Sequence, residues 1–169
     1  MAEISEMTTI GIDPGLSGAV AFIFEDGSLR VHDMPTFSLK RNGKTKREID
    51  AVQLATLLHQ GANDDVVVWL EQVGSMPGQG VSSVFAFGQA FGISKGIVAA
   101  LGYPLNLVTP QVWKKALRVP AAKDGARARA SQIMPRAASN WPLVKHDGRA
   151  EAALIAYYGD NVAQPKELW

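Results

Sequence analysis

Three short apolar runs lie near the start of the chain, and each is ended by residues typical of turns. The runs are rich in β-branched and aromatic residues, which favours strands over helices. Pro14-Gly15 ends the first run, and Glu25-Asp-Gly-Ser28 separates the second from the third with a signal typical of a tight hairpin. We therefore predict three successive antiparallel strands, at residues 8–13, 19–24 and 29–34.

The rest of the chain alternates between helical spacing and two further apolar runs. A polar, basic stretch over residues 35–47 is expected to be an exposed loop. Residues 65–71 form an uninterrupted apolar run typical of a buried parallel strand, and residues 104–108 form a shorter strand. Apolar spacing predicts helices over residues 49–60, 81–101, 124–134 and 147–158, and another that begins at Pro110. This order predicts an α/β fold, a five-stranded mixed sheet of three antiparallel and then two parallel strands, with helices on both faces.

A row of glycines marks the long helix predicted over residues 81–101. Gly88, Gly92 and Gly96 recur at intervals of four residues. Glycine inside a helix costs helix propensity, so the row predicts close approach of another element. That element is either the sheet or a second subunit.

The length and composition fit one globular domain. The chain has 169 residues and a mass of 18.1 kDa, with 47% hydrophobic residues, so we expect one domain over residues 1–169 with its core at about 8–159. No cysteine is present, which leaves oxygen and histidine as the ligands for any metal. We see no secretion signal and no apolar run of membrane-spanning length. A soluble, cytoplasmic protein with no membrane partner and no nucleotide cofactor is expected.

The net charge of +1 conceals two basic regions. One covers residues 40–47, and the other lies between Val112 and Ala150, where basic residues far outnumber acids. Two such regions on one chain favour a polyanionic partner, and DNA is the leading candidate. The predicted phosphate contacts are Lys44, Lys46, Lys114, Lys115, Lys123, Arg127, Arg129 and Lys145.

Four acids fall at positions that suggest chemistry. Asp13 and Glu71 end predicted strands, whereas Asp147 and Glu151 lie four residues apart at the start of the last helix, on one face. Taken alone, Asp13 is best interpreted as an aspartate that begins a turn. Four gathered carboxylates, however, repel one another unless divalent cations bind, and Mg²⁺ favours carboxylate oxygen. Two ions about 3.5 to 4 Å apart would suit hydrolysis of a phosphodiester.

The same stretches resemble a known family. The chain is similar to RuvC-type Holliday junction resolvases of the RNase H-like superfamily over residues 8 to 159. The resemblance is carried by Ile-Asp-Pro-Gly-Leu-Ser-Gly-Ala (12–19), Glu71-Gln72-Val73, Gly88-Gln-Ala-Phe-Gly92 and Ala150-Glu-Ala-Ala-Leu-Ile-Ala156. It implies an RNase H-like fold and a homodimeric endonuclease that uses two Mg²⁺ or Mn²⁺ ions per site. Such an enzyme nicks two opposed strands of a four-way DNA junction and leaves 5′-phosphates.

On this mapping the catalytic and metal-binding acids are Asp13, Glu71, Asp147 and Glu151. The family's last motif has two aspartates three residues apart, and here Gly148 takes the place of the first. This departure leaves open which of the C-terminal acids binds metal. The element Trp113-Lys-Lys115 and the basic loop at 40–47 suggest a divergent, phage-like branch. His146 and Gln72 are candidates for catalytic support.

A second departure concerns the aromatic residue that those enzymes place near the junction crossover. Gly74 stands at that position, with Met76, Phe85 and Phe87 as candidate wedges, although core packing is the expected role of the phenylalanines.

Three other functions remain open from the sequence. A nuclease for forks or flaps has the same acids, and a catalytically silent junction-binding module has the same basic surface. A nucleotide-binding protein of the actin-like class also places an Asp-x-Gly turn after a strand. The last is disfavoured, because such proteins need two domains of this kind.

Overall fold

A computed structural model of the chain describes residues 6–163, which form seven strands and five α-helices. The strands are β1 (Met7–Asp13), β2 (Ala19–Phe24), β3 (Leu29–Asp33), β4 (Thr36–Arg41), β5 (Lys44–Ile49), β6 (Asp65–Glu71) and β7 (Leu105–Val108). The helices are α1 (Ala51–Gly61), α2 (Val81–Ala100), α3 (Pro110–Ala116), α4 (Gly125–Ile133) and α5 (Asp147–Tyr158).

Five of the strands form one mixed sheet in the order β3-β2-β1-β6-β7. The first three pair antiparallel, and β6 and β7 run parallel to β1. Helices cover both faces of this sheet. The predicted α/β architecture is therefore confirmed, including its three antiparallel and two parallel strands.

The alternation of side chains along β1 and β6 divides the core into two layers. Ile10, Ile12, Val68 and Leu70 point to one face of the sheet, where they pack against α1 and α2. On the other face, Trp69 packs with the almost wholly buried α5 and with residues of α3 and α4. The last residues of β1 and β6 belong to this second face, because they follow the same alternation.

Helix α5 approaches β1 closely because Gly11 has no side chain. A Cβ atom at Gly11 would overlap the carbonyl oxygen of Ala152 and the amide nitrogen of Ala156. Small residues on α5 complete this contact, since Ala152, Ala153 and Ala156 are fully buried. The contact fixes the height of α5 above the sheet, and with it the position of the helix's N-terminal turn.

The expectation of an exposed loop over residues 35–47 is wrong, because β4 and β5 form a separate two-stranded hairpin there. Its turn is Asn42-Gly43, and both residues have positive φ angles of 49° and 71°. These angles are typical of the two-residue turns that match strand twist. The dense charge of this stretch concealed the pattern, since strands exposed on both sides need no apolar alternation.

Helix α2 also differs from the prediction, because much of its surface is uncovered. Phe85 and Phe87 are 66% and 44% exposed, so the expectation that they pack in the core is wrong. A Cβ at Gly88, Gly92 or Gly96 would meet no atom within 4 Å. The sheet is therefore not the element that the glycine row accommodates.

Helix α2 also bears on the expectation that no apolar run is long enough to span a membrane. By length and composition alone, α2 would suffice to cross a membrane, although we predicted no such run. In the fold, Ala90, Ser94 and Val98 are buried along one side of α2. Its apolar character therefore serves the core on that side, and the other side remains uncovered in the described chain.

The contact between Gly11 and α5 predicts a large effect of a single methyl group. Gly11→Ala should lower the free energy of unfolding by about 3 kcal/mol, because the new Cβ meets backbone that cannot move aside. Urea unfolding followed by circular dichroism measures this. Gly74→Ala, where a Cβ meets nothing within 4 Å, is the control and should change the value by less than about 0.5 kcal/mol. Equal stability of the two variants would contradict the proposed role of Gly11.

Candidate active site

The first two acids lie side by side at the ends of neighbouring parallel strands. Ile12 pairs with Leu70 in the register of β1 and β6, so the next residues, Asp13 and Glu71, are adjacent. The side-chain alternation puts both on the α5 face of the sheet. Gly15 and Gly18 then turn the chain away from β1, and the Gly15 amide donates a hydrogen bond to Asp13 Oδ1 at 3.1 Å. Strand pairing therefore places Asp13 and Glu71 together.

The second pair of acids comes from the first turns of α5. Asp147 and Glu151 lie one helical turn apart, and both line the same pocket of about 630 Å³ as Asp13 and Glu71. A Cβ at Gly148 would overlap the Ser17 carbonyl oxygen, because α5 begins against the turn that follows Asp13. A side chain at position 148 would therefore displace either the start of α5 or this turn.

Burial and mutual repulsion make the two strand-end acids weak. Burial, followed by repulsion from the nearby Glu151 carboxylate, raises the pKa of Asp13 to about 7. Burial, followed by repulsion from Asp13 and Glu151, raises the pKa of Glu71 to about 8. These carboxylates hold protons close to neutral pH, because the positive charge beside them is insufficient.

Two of the predicted phosphate-binding residues are paired with the other two acids. Lys114 Nζ lies 2.8 Å from Glu151 Oε1, and Arg127 Nε lies 2.6 Å from Asp147 Oδ1. The helices α3 and α4 therefore turn cations towards α5. Lys114 also lowers the pKa of both Asp13 and Glu71, so its charge acts on the whole pocket.

Trp113 was not among the predicted site residues, yet its indole faces Glu71. The indole nitrogen is buried and makes no hydrogen bond of ordinary geometry within residues 6–163. It nevertheless lies near enough to the Glu71 carboxylate to lower its pKa. A Trp at the first turns of a helix that follows a strand is an ordinary core residue in sequence, so no signal distinguished it.

The remaining predicted contacts are spread over the surface. Arg129 donates to the Leu117 carbonyl at 2.6 Å and to Gln132 at 3.0 Å, so its side chain stabilises the α3–α4 connection. Lys46 lies 3.3 Å from Glu48 within the β4–β5 hairpin. Four further candidates have exposed side chains and are not drawn into the acidic pocket: Lys44, Gln72, Lys115 and Lys123.

His146 and Lys145 belong to a different pocket from the four acids. They line a cavity of about 320 Å³ on the other side of the turn formed by Leu16, Ser17 and Gly18. His146 is buried, and its Nδ1 accepts a hydrogen bond from the Leu143 amide at 3.3 Å. Burial lowers the pKa of His146, and Arg149 and Lys145 lower it further. The imidazole is therefore neutral and is directed away from the acids.

The donor set of the acidic pocket fits a hard divalent cation. Its four acids offer carboxylate oxygens, and a cation would offset the burial and repulsion that raise the pKa values of Asp13 and Glu71. As the side chains stand, no three acids or histidines within residues 6–163 are close enough to enclose an ion. Lys114 and Arg127 pair with Glu151 and Asp147, so these cations would compete with a metal ion for those acids.

The chain is similar to solved structures of Holliday junction resolvases. RuvC of Thermus thermophilus bound to a Holliday junction substrate shares 17% identity, with a TM-score of 0.57 over 91% of this chain and 95% of that one. A second structure of the same organism's RuvC shares 18% identity, with a TM-score of 0.53 over 92% and 95%. The yeast mitochondrial resolvase Ydc2 shares 17% identity, with a TM-score of 0.52 over 87% and 75%.

At these identities the comparisons show the fold, which is the RNase H-like fold of those resolvases. The fold expected from the resemblance is therefore confirmed. No protein-family model matches the sequence, and no curated protein sequence matches it significantly.

The raised pKa of Glu71 predicts how stability depends on pH. Between 4.5 and about 8 the folded protein holds a proton on Glu71 that the unfolded chain has lost. Stability therefore falls as pH rises through this range. Glu71→Gln removes the titrating group, so its gain in unfolding free energy over the wild type should be small at pH 5 and on the order of 2 kcal/mol at pH 8.5.

Urea unfolding of both proteins in EDTA at the two pH values measures this difference. Glu25→Gln, in the exposed turn between β2 and β3, is the matched control and should show no such trend. A gain for Glu71→Gln that is the same at pH 5 and pH 8.5 would contradict the assignment.

Proposed function

We propose that this protein is a metal-dependent endonuclease that resolves four-way DNA junctions. The observation that carries the proposal is the pairing of Asp13 and Glu71 at adjacent strand ends, with raised pKa values, in an open pocket that Asp147 and Glu151 also line. A protein keeps such weak, mutually repelling acids where they serve a cation or a reaction.

The residues of the acidic pocket would have distinct roles in the proposed reaction. Asp13, Glu71, Glu151 and Asp147 would hold two ions of Mg²⁺, for which Mn²⁺ would substitute. When bound, these ions would activate water and stabilise charge on the phosphate. Trp113 would orient Glu71 through its indole N–H, and Lys114 and Arg127, released from their ion pairs, would contact the phosphate. Hydrolysis adds the hydroxyl of water to phosphorus and a proton to the departing 3′ oxygen, leaving a 5′-phosphate and a 3′-hydroxyl.

Exposed cations near the pocket would position the DNA. Lys115 on α3 and Lys123 before α4 are exposed and close in sequence to Lys114 and Arg127, which face the acids. Contacts of this kind bind phosphates without reading bases, so recognition would depend on the shape of the DNA. This fits a substrate defined by its branches instead of its sequence.

The choice of a four-way junction rests on similarity of fold. Two of the similar structures are named as a resolvase of Holliday junctions or as RuvC bound to such a substrate. Forks and flaps are the alternative substrates, since the same acids would cut them. A catalytically silent junction-binding module would keep the basic surface but would have no use for the two weak acids.

Cleavage of a labelled synthetic junction tests the proposal directly. Wild-type protein with Mg²⁺ should produce paired nicks that ligase can seal, and Asp13→Asn should reduce the rate by at least about a thousandfold. Asp26→Asn, in the turn between β2 and β3 where Asp26 accepts a hydrogen bond from the Ser28 amide, is the control and should cut normally. Fork and flap substrates in the same panel decide selectivity. Absence of junction cleavage by wild-type protein would overturn the proposed function.

A homodimer is the second part of the proposal, because two opposed strands need two active sites. Helix α2 offers the surface, with Gly88, Gly92 and Gly96 open to close approach and Phe85 exposed beside them. Phe87 of the same helix lines the acidic pocket. A second copy bound there would cover apolar surface and place its own pocket nearby. A lipid surface is the competing occupant of so apolar a helix.

Light scattering at micromolar concentrations tests the dimer. Wild-type protein should have twice the mass of the 18.1 kDa chain, and Gly92→Glu should be monomeric with little change in melting temperature, because the residue is exposed. Val52→Glu, at an exposed apolar position of α1, is the matched control and should remain dimeric. A monomeric wild type would overturn this part of the proposal. The cytoplasmic location stays a prediction.

A further inference from the structure

A second pocket adjoins the acidic one, and three basic residues are part of its lining. The turn over residues 15–18 forms a wall common to both, since Leu16, Ser17 and Gly18 line each of them. The second pocket has a volume of about 320 Å³, and its charged residues are Arg47, Lys145, Arg149 and Asp33. We refer to it as the cationic pocket.

The charges of the cationic pocket are only partly balanced. Arg149 binds Asp33 through two hydrogen bonds of 2.6 and 2.7 Å, which accounts for the one acid. Arg47 and Lys145 make no ion pair with any residue in the described range 6–163. Two positive charges therefore remain in a concave site, which favours an anion.

Arg47 is held in place for such an anion. Its Nη2 donates to the Leu16 carbonyl at 2.8 Å and to Thr36 Oγ1 at 3.1 Å. A guanidinium carries five N–H donors in a planar fork, so donors remain for a phosphate oxygen. The contact with Leu16 also ties Arg47 to the turn that follows Asp13.

The two pockets are close enough to hold one DNA strand. The Gly18 amide donates to the Gly15 carbonyl at 2.9 Å, which makes the separating wall a tight turn. Such a turn is less than about 7 Å across. Pockets that share the residues of one turn would therefore hold phosphates that are near neighbours on one strand.

The β4–β5 hairpin, which supplies Arg47, extends the positive surface. Each of its strands has six residues, which corresponds to about 20 Å of length. Lys40, Arg41 and Lys44 are exposed towards its turn. The hairpin stands outside the five-stranded sheet, and little of it is buried, so stability of the core does not explain its charge.

We propose that the cationic pocket binds a backbone phosphate of the cleaved strand close to the scissile phosphate, and that the hairpin continues this contact along the duplex arm. The inference rests on the proposed nuclease function and adds to it a second phosphate site, with Arg47 and Lys145 as its ligands. Its purpose is positioning, because a strand held on both sides of the turn cannot slide past Asp13.

The test replaces single phosphates of the junction by neutral methylphosphonates. The cut position is first mapped with wild-type protein, and binding is then measured by fluorescence anisotropy with Asp13→Asn protein, which leaves the DNA intact. One position near the cut should weaken binding about tenfold when made neutral. Adding Arg47→Ala should abolish that sensitivity and lower the slope of log affinity against log salt by about one.

Three controls make the result specific. Arg136→Ala removes an exposed arginine at the far end of the sheet, beside the β2–β3 turn, and should leave the methylphosphonate profile unchanged. Lys145→Ala should weaken the sensitivity at the same position as Arg47→Ala does. Melting temperatures of all variants should agree within a few degrees, since both lysine and arginine are exposed.

The outcomes separate this inference from the proposed function. Suppose that wild-type protein cuts the junction, but the Asp13→Asn protein gives the same methylphosphonate profile with and without Arg47→Ala. In that case the cationic pocket is not a phosphate site, and the nuclease proposal stands. If wild-type protein neither binds nor cuts the junction, both proposals fail. If Arg47→Ala affects only DNA with a phosphorylated 5′ end, the pocket binds a terminal phosphate, which also overturns the inference.

Discussion

The close contact between α5 and the central sheet determines the geometry of this protein. Gly11 lets the backbone of α5 rest on β1, and Gly148 lets the first turn of α5 rest on the turn after Asp13. Both contacts are made by backbone atoms, so they leave no room for adjustment. Asp147 and Glu151 are thereby held over the strand ends that carry Asp13 and Glu71, and a small shift of α5 would separate the two pairs of acids.

The acidic pocket contains two features that lower the stability of the fold, which are buried carboxylates and repulsion between them. Burial of Asp13 and Glu71 raises their pKa values, and their proximity to each other and to Glu151 adds repulsion. Lys114 and Arg127 offset part of this charge from the neighbouring helices. Under the proposed function, the same two cations would have a structural role without metal and would bind phosphate when metal is present.

The turn over residues 15–18 connects this pocket with the cationic one. Its backbone is fixed from both sides, by α5 at Gly148 and by Arg47 at Leu16. Binding of DNA at Arg47 would therefore act on the segment that immediately follows Asp13. Under the proposed function, this arrangement would let one short turn separate two phosphates of a strand and keep the acids aligned with one of them.

Much of the fold and of the acidic pocket could be predicted from the sequence, because local patterns of residues indicate the strands and their ends. Apolar runs bounded by turn residues located the five strands of the sheet, and the acids at strand ends pointed to Asp13 and Glu71. The β4–β5 hairpin was not predicted, because exposed strands have no apolar alternation and only Asn42-Gly43 indicated the turn. The ion pairs of Lys114 and Arg127, the position of Trp113 beside Glu71 and the separate pocket of His146 join residues far apart in the chain. Only tertiary packing decides which helix faces which strand end, so no local pattern could have placed them.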